Sequence, residues 1–167
     1  MRARSIVSLL ALACLLSLVS PSLLPSPYPV PRGEQGTVVR VVDGDTVHVR
    51  VGERVEKVRY IGINTPETNH PTRGEEPGGR AATAVNSRLV RDRTVRLEPD
   101  VQLRDHYGRL LAYVWVNGAG GELMVNAELV RLGYAQVMTV PPNVRHADLF
   151  RKLQADAREQ RRGLWAP

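Results

Sequence analysis

Cysteine is all but absent from this chain, and that absence removes two classes of protein at once. The single thiol, Cys14, lies near the N-terminus, so the remainder can build neither a disulfide framework nor a thiolate metal site. Histidine offers no substitute, because His48, His70 and His146 are scattered and lack the spacing of zinc ligands. Lysine is scarce too: of 23 basic residues, 21 are Arg and only Lys57 and Lys152 are Lys. Aromatic residues make up 5% of the chain, and Trp115 and Trp165 read as core or end-packing residues. No internal repeat stands out, and the one low-complexity stretch is a short Pro/Ser segment.

Long apolar runs are also lacking, with one exception. Arg2 and Arg4 precede an apolar stretch from Ile6 to Leu24, which leads into PSLLPSPYPVP at residues 21–31. Residues 1–31 therefore read as a signal peptide or signal anchor with a Pro/Ser-rich linker, and export is expected, to a secreted, periplasmic or cell-surface location, released or tethered to the membrane. The ALAC stretch ending at Cys14 loosely resembles a lipoprotein box, but the apolar run continues past it as LLSLV, where a lipid-anchored protein would turn polar. Residues 32–167 remain for one domain, long enough to bury a full core. The whole chain, with 43% hydrophobic and 24% charged residues, has the composition of a packed protein, not a disordered one. The net charge of +6, or +4 without Arg2 and Arg4, fits a polyanionic partner.

Within that domain, residues 37–42, 46–51 and 55–61 are β-branched and partly alternating, separated by Asp43-Gly44-Asp45 and Gly52-Glu53-Arg54. This spacing predicts a three-stranded antiparallel meander. A helix is expected over about 79–91, strands over 94–98 and 111–116, and helices over about 123–132, stopped by Gly133, and 147–161. The fold class is α+β, mainly β: a five-stranded OB-type barrel with about three helices, an architecture that commonly presents one face to nucleic acid. The polar piece RGEEPGG at residues 73–79 reads as a surface loop beside Glu67, a candidate flap over a site.

Between residues 41 and 67 the chain places Asp45, Asn64 and Glu67 alongside Arg59. Hard oxygen ligands suit Mg²⁺ or Ca²⁺, and a neighbouring guanidinium clamps a phosphate bidentately; together they suggest metal-assisted phosphodiester hydrolysis. Each residue also has a plainer reading. An isolated DGD caps a turn, a lone strand arginine is a solvated edge residue, a glutamate in TPET is simply exposed, and Tyr107 can be structural.

Five ordered runs carry a resemblance: DGDTV at residues 43–47, VRYIGINTPET at 58–68, DHYGRLLAYV at 105–114, VNAELVRLGYA at 125–135 and GLW at 163–165. From about Gly36 to Trp165 the chain resembles the staphylococcal (thermo)nuclease family. The resemblance implies an OB barrel and a Ca²⁺-dependent nuclease, a monomer, acting on DNA and RNA with little base specificity and leaving 3′-phosphates. It makes Asp45, Asn64 and the Thr65 carbonyl the metal ligands, with Asp43 shaping the charge behind them. Glu67 becomes the group that orients or deprotonates the attacking water, Arg59 and Arg109 the clamps on transition-state charge, and His106 and Tyr107 contacts to the terminal phosphate.

Three departures matter. The best-known members carry a second carboxylate where Asn64 stands, so one ligand here lacks charge. They often have Lys where His106 stands, so a permanent cation there is replaced by an imidazole. They carry two tyrosines against the base and sugar where this chain has Met138, Thr139 and Val140, leaving Tyr134 as a partial substitute. The rival reading is a non-catalytic OB-fold module that binds nucleic acid.

Overall fold

The structure is a computed structural model that describes residues 33–68, 74–118 and 120–167. The N-terminal segment, Cys14, His70 and Arg73 lie outside the described residues. Among the described residues no helix is long and apolar enough to cross a membrane.

The predicted meander is present as β1 (Glu34–Val41), β2 (Thr46–Val51) and β3 (Arg54–Tyr60), all antiparallel, with a register irregularity between Val38 and Arg40. Alternation explains it: Val47, Val49 and Val58 are 0% exposed, whereas His48, Arg50 and Lys57 face outward. A two-residue strand, β4 (Ile63–Asn64), and helix α1 (Gly79–Val90) follow. Next come β5 (Thr94–Glu98), β6 (Leu110–Gly118) and β7 (Gly121–Met124). The sheet runs β3-β2-β1-β5-β6-β7, and β3 pairs again with β6 in parallel through Val58–Leu110, Arg59–Leu111 and Tyr60–Ala112. That last pairing closes five strands into a mixed barrel and leaves β7 as an appendage on β6.

Closure also changes the end of β3. Val58, Arg59 and Tyr60 are all buried in succession, because the parallel partner covers the side that would otherwise face water. The core is built mainly of valines with Tyr60, Tyr113 and Phe150, and burying each such side chain contributes roughly 1.5–3 kcal/mol.

The second helix, α2 (Val125–Arg131), begins later than expected. Glu122, Leu123 and Met124 are strand, paired with Asn117, Val116 and Trp115 across a hairpin whose Gly121 has φ +113°. A four-residue apolar–acidic stretch has no period that separates strand from helix, and the partner strand decides. Gly133 does stop α2, with φ +79°. Helix α3 (Ala147–Glu159) closes the chain with a 3₁₀ turn over Gly163–Trp165, whose Leu164 amide donates to the Gly133 carbonyl at 2.8 Å. A final two-residue strand, β8 (Gln136–Val137), pairs with β4.

Candidate active site

Asp45 stands at the turn into β2 and is 3% exposed. The turn is wound by Asp43, whose Oδ1 accepts the Asp45 amide at 3.0 Å. Gly44 is required there for space, since a Cβ on it would lie 2.6 Å from the Thr65 hydroxyl. The approach of these two segments brings Asp45 and Thr65 together: Asp45 Oδ2 accepts the Thr65 amide at 2.8 Å, while Oδ1 accepts the Thr46 hydroxyl at 3.1 Å. A buried prop stands behind. Tyr60 Oη donates to Asn86 Oδ1, and Asn86 Nδ2 donates to the Asp43 carbonyl, both at 3.0 Å.

Arg59 occupies the centre. Its Nη1 donates to the carbonyls of Tyr60 and Ile63 at 2.9 Å each, and its Nη2 to Asn64 Oδ1 at 3.0 Å, with Asp45 Oδ2 at 3.2 Å. Burial pushes the Asp45 carboxyl up to about 6, against the pull of Arg59 and with a further push from Asp43. A carboxylate left under-compensated in this way is an environment that favours an added cation.

Arg59 and Asn64 open onto a cavity of about 430 Å³ lined also by Glu67, His106 and Arg109. Glu67 is half-buried, and its backbone is pinned to the following loop: its amide donates to Glu76 Oε2 at 3.0 Å and its carbonyl accepts the Glu76 amide at 2.8 Å. Arg109 comes from the loop that leads into β6. Its Nε donates to Asp105 Oδ2 at 2.7 Å, its amide to Asp105 Oδ1 at 3.0 Å, and its guanidinium lies 5.3 Å from the Tyr107 ring centroid. Burial alone would raise the Asp105 carboxyl, but these bonds hold it below the usual carboxylate range.

The structure therefore brings together Asp45, Arg59, Asn64 and Thr65, and sets Glu67, His106 and Arg109 around the same cavity. Tyr107 is 73% exposed and sits at the rim, its ring beside that of His106. Tyr134 does not line the cavity; it packs against the core, so the place of the absent tyrosines is taken by Met138 and Val140. Among the described residues no cluster of three or more His, Cys, Asp or Glu side chains could hold a metal.

Three supporting residues were not singled out from sequence. Asp105 could have been, since its i,i+4 spacing from Arg109 is visible. Asn86 is linked to the site only through contacts 26 and 43 residues away in sequence. Asn143, which binds both the amide and the carbonyl of Gln102 at 2.7 and 2.8 Å and so joins two walls of the cavity, left no local sign.

A closed five-stranded barrel with a carboxylate, an amide and two arginines at its mouth defines an OB-type protein with an anion-receiving cleft. The family model described as "Staphylococcal nuclease homologue" matches residues 57–167. The thermonuclease of Staphylococcus intermedius is 38% identical over 134 residues, covering 80% of this chain and 77% of that protein. The thermonuclease of Staphylococcus hyicus is 36% identical over 129 residues, 77% of this chain and 74% of its own length. Endonuclease YncB of Bacillus subtilis is 37% identical over 132 residues, 78% of this chain and 61% of that protein. The chain belongs to the staphylococcal nuclease family.

Proposed function

We propose that the protein is a nuclease that hydrolyses phosphodiester bonds in DNA and RNA, with calcium as cofactor and 3′-phosphate products. The observation that carries this reading is the guanidinium of Arg59 spanning Asp45 and Asn64 at the mouth of a cavity shared with Glu67 and Arg109. A binding module on the same barrel would need the basic groups, but it would have no use for a glutamate facing the same cavity.

The donor set fits a hard dication: the Asp45 carboxylate, the Asn64 amide oxygen and the Thr65 carbonyl oxygen would hold it, and the under-compensated charge of Asp45 and Asp43 favours it. Bound there, calcium would supply Lewis acidity to the scissile phosphate. Glu67, fixed through its backbone by Glu76, orients a water molecule and accepts its proton, a role that contributes ~10²–10⁴-fold. Arg59 and Arg109 together neutralise charge on the equatorial oxygens of the phosphate as the water attacks and the 5′ oxygen leaves. A phosphate oxygen taking the place of Asn64 Oδ1 on Arg59 would leave that amide oxygen available to a cation. His106 and Tyr107 line the rim where a terminal phosphate would sit, and apolar Met138 and Val140 face the base without aromatic stacking. Export through the N-terminal segment, released or tethered, and a monomeric state belong to the same proposal and rest on the sequence alone.

Incubating the protein with single-stranded DNA and with RNA, in Ca²⁺ and in excess chelator, tests the reading. Cleavage in Ca²⁺ alone, with fragments that need a phosphatase before 3′ extension, is expected. Binding without turnover in both conditions would identify a non-catalytic module.

A further inference from the structure

The molecule carries a second basic surface outside the cavity. Helix α1 has no acidic residue, and Arg80 and Arg88 on it and Arg91 just past its end are exposed. They border a shallow depression of about 370 Å³ that Thr68 also lines, one residue beyond Glu67. Thr83 Oγ1 in its floor is buried and has no hydrogen-bond partner among the described residues. Ser87 Oγ is beside it and orients Arg91 through a 2.7 Å bond from Nε. Among the described residues Arg80 has one acidic partner, Glu75, at 2.8 Å, and no hydrogen bond or ion pair to the Arg88 side chain is found among them.

The surface continues beyond the helix. Arg91 also lines a neighbouring depression with Arg40 and the acidic Asp92. Cross-strand register then places Arg40 against His48 and His48 against Lys57, so three basic side chains stand in a row across the outer face of β1, β2 and β3. Burial and then the charges of Arg40 and Lys57 hold His48 below its ordinary value, so between these two cations it serves as a neutral hydrogen-bonding group.

Helix α3 shows that this is not simply the general arginine content. There Arg151 is paired with Asp148, and Asp156 and Glu159 interleave with the other cations.

We infer that Arg80, Arg88, Arg91, Arg40, His48 and Lys57 form a backbone-binding track for non-scissile phosphates of a nucleic-acid strand, leading away from the cavity on its Glu67 side. The inference rests on the nucleic-acid reading above and extends it to a site that acts on long strands and not on short ones. Backbone phosphates are the chemistry such a row recognises: spaced cations with neutral polar groups between them.

Binding measured in chelator separates this inference from the catalytic one, because it needs no turnover. Fluorescence anisotropy of labelled single-stranded DNA of about 20 nucleotides is compared with a trinucleotide, for the wild type, R88Q/R91Q, R40Q and the charge-matched control R151Q/K152Q. The α1 double variant is expected to lose about tenfold in affinity for the long strand, and its salt dependence should become shallower by about one to one and a half, the slope of two single-strand phosphate contacts. R40Q should lose less, and neither variant should change trinucleotide binding. Unfolding transitions within a degree or two of wild type would confirm that all variants are folded. Equal losses in the α3 control would reduce the effect to net charge and overturn the track, as would unchanged affinity in both track variants. Loss of binding to phosphatidylserine vesicles with DNA affinity intact would also overturn it and assign the surface to a membrane. If the track holds while no cleavage is seen in Ca²⁺, only the catalytic reading fails.

Discussion

Two arginines face the same cavity and are held there by different means. Arg59, with 9% of its side chain exposed, is fixed from inside the barrel: two backbone carbonyls, an amide oxygen and a carboxylate receive its donors. Arg109, with 24% exposed, is fixed by its own loop through Asp105 four residues earlier and lies against Tyr107 at the rim. One is a product of barrel closure, the other of local sequence. The difference teaches that two arginines on one cavity need not carry equal structural cost: losing Arg59 should disturb the fold and the site together, whereas losing Arg109 should disturb the site alone.

The largest effect expected on this contrast lies at Asp45, the partner Arg59 has and Arg109 lacks. Asp45→Ala should abolish calcium-dependent cleavage while circular dichroism stays native, since it removes the one charged group of the proposed ligand set. Activity at wild-type level in that variant would break the reading of the Arg59 side altogether. The carboxyl also gives a pH signature. Its folded-state value, about 6, is raised above the ordinary 3.8, so its stability contribution is fully present below about 3.8 and is lost as pH rises through about 6. Chemical denaturation of the metal-free protein should show that decline, Asp45→Asn should flatten it, and saturating Ca²⁺ should offset it.

Next in size, Arg59→Lys should lower kcat by ~10²–10³ and also lower the unfolding temperature, because lysine cannot satisfy the four acceptors that the fork spans. Arg109→Lys should lower kcat by about 10² with little change in KM and no change in unfolding temperature. Steady-state kinetics and calorimetry on the pair decide the comparison: equal destabilisation by both variants would show that the rim arginine is as structural as the buried one.

A smaller effect is expected from Asp105→Asn, which keeps the shape but removes the charge that orients Arg109. A loss of about tenfold in kcat is expected, on the scale of one charge-assisted hydrogen bond of ~1.5–3 kcal/mol only partly lost. Because Asp105 sits below 3.8 in the folded state, this support is present at all pH values above that and fails only as pH falls through its depressed value. Smallest is Asn64→Asp, which adds a charged oxygen beside Asp45 at equal length and should tighten calcium binding by about tenfold, or ~1.4 kcal/mol. Isothermal titration checks it, and equal or weaker affinity would remove Asn64 from the ligand set.

The sequence by itself determined the strands β1 to β3, β5 and the middle of β6, and the helices α1 and α3, because those elements repeat with their own periods of two or 3.6 residues. It also determined the residue types at the site, since DGDTV, INTPE and DHYGR each carry their chemistry within a few positions, and Gly133 announces the end of α2 through backbone conformation alone. Tertiary structure decided the rest. Glu122–Met124 became strand only because β6 offered a partner, and β4 and β8 are two residues each, too short to be strands except against one another. Arg59, read alone as a solvated strand residue, was buried by the parallel pairing of β3 with β6, which depends on an alignment some fifty residues apart in sequence. Asn86 and Asn143 gained their roles in the same way, from buried polar groups meeting across the fold. Local periodicity is written in neighbouring residues and can be read there; burial and hydrogen-bond satisfaction are properties of what the chain meets after it closes.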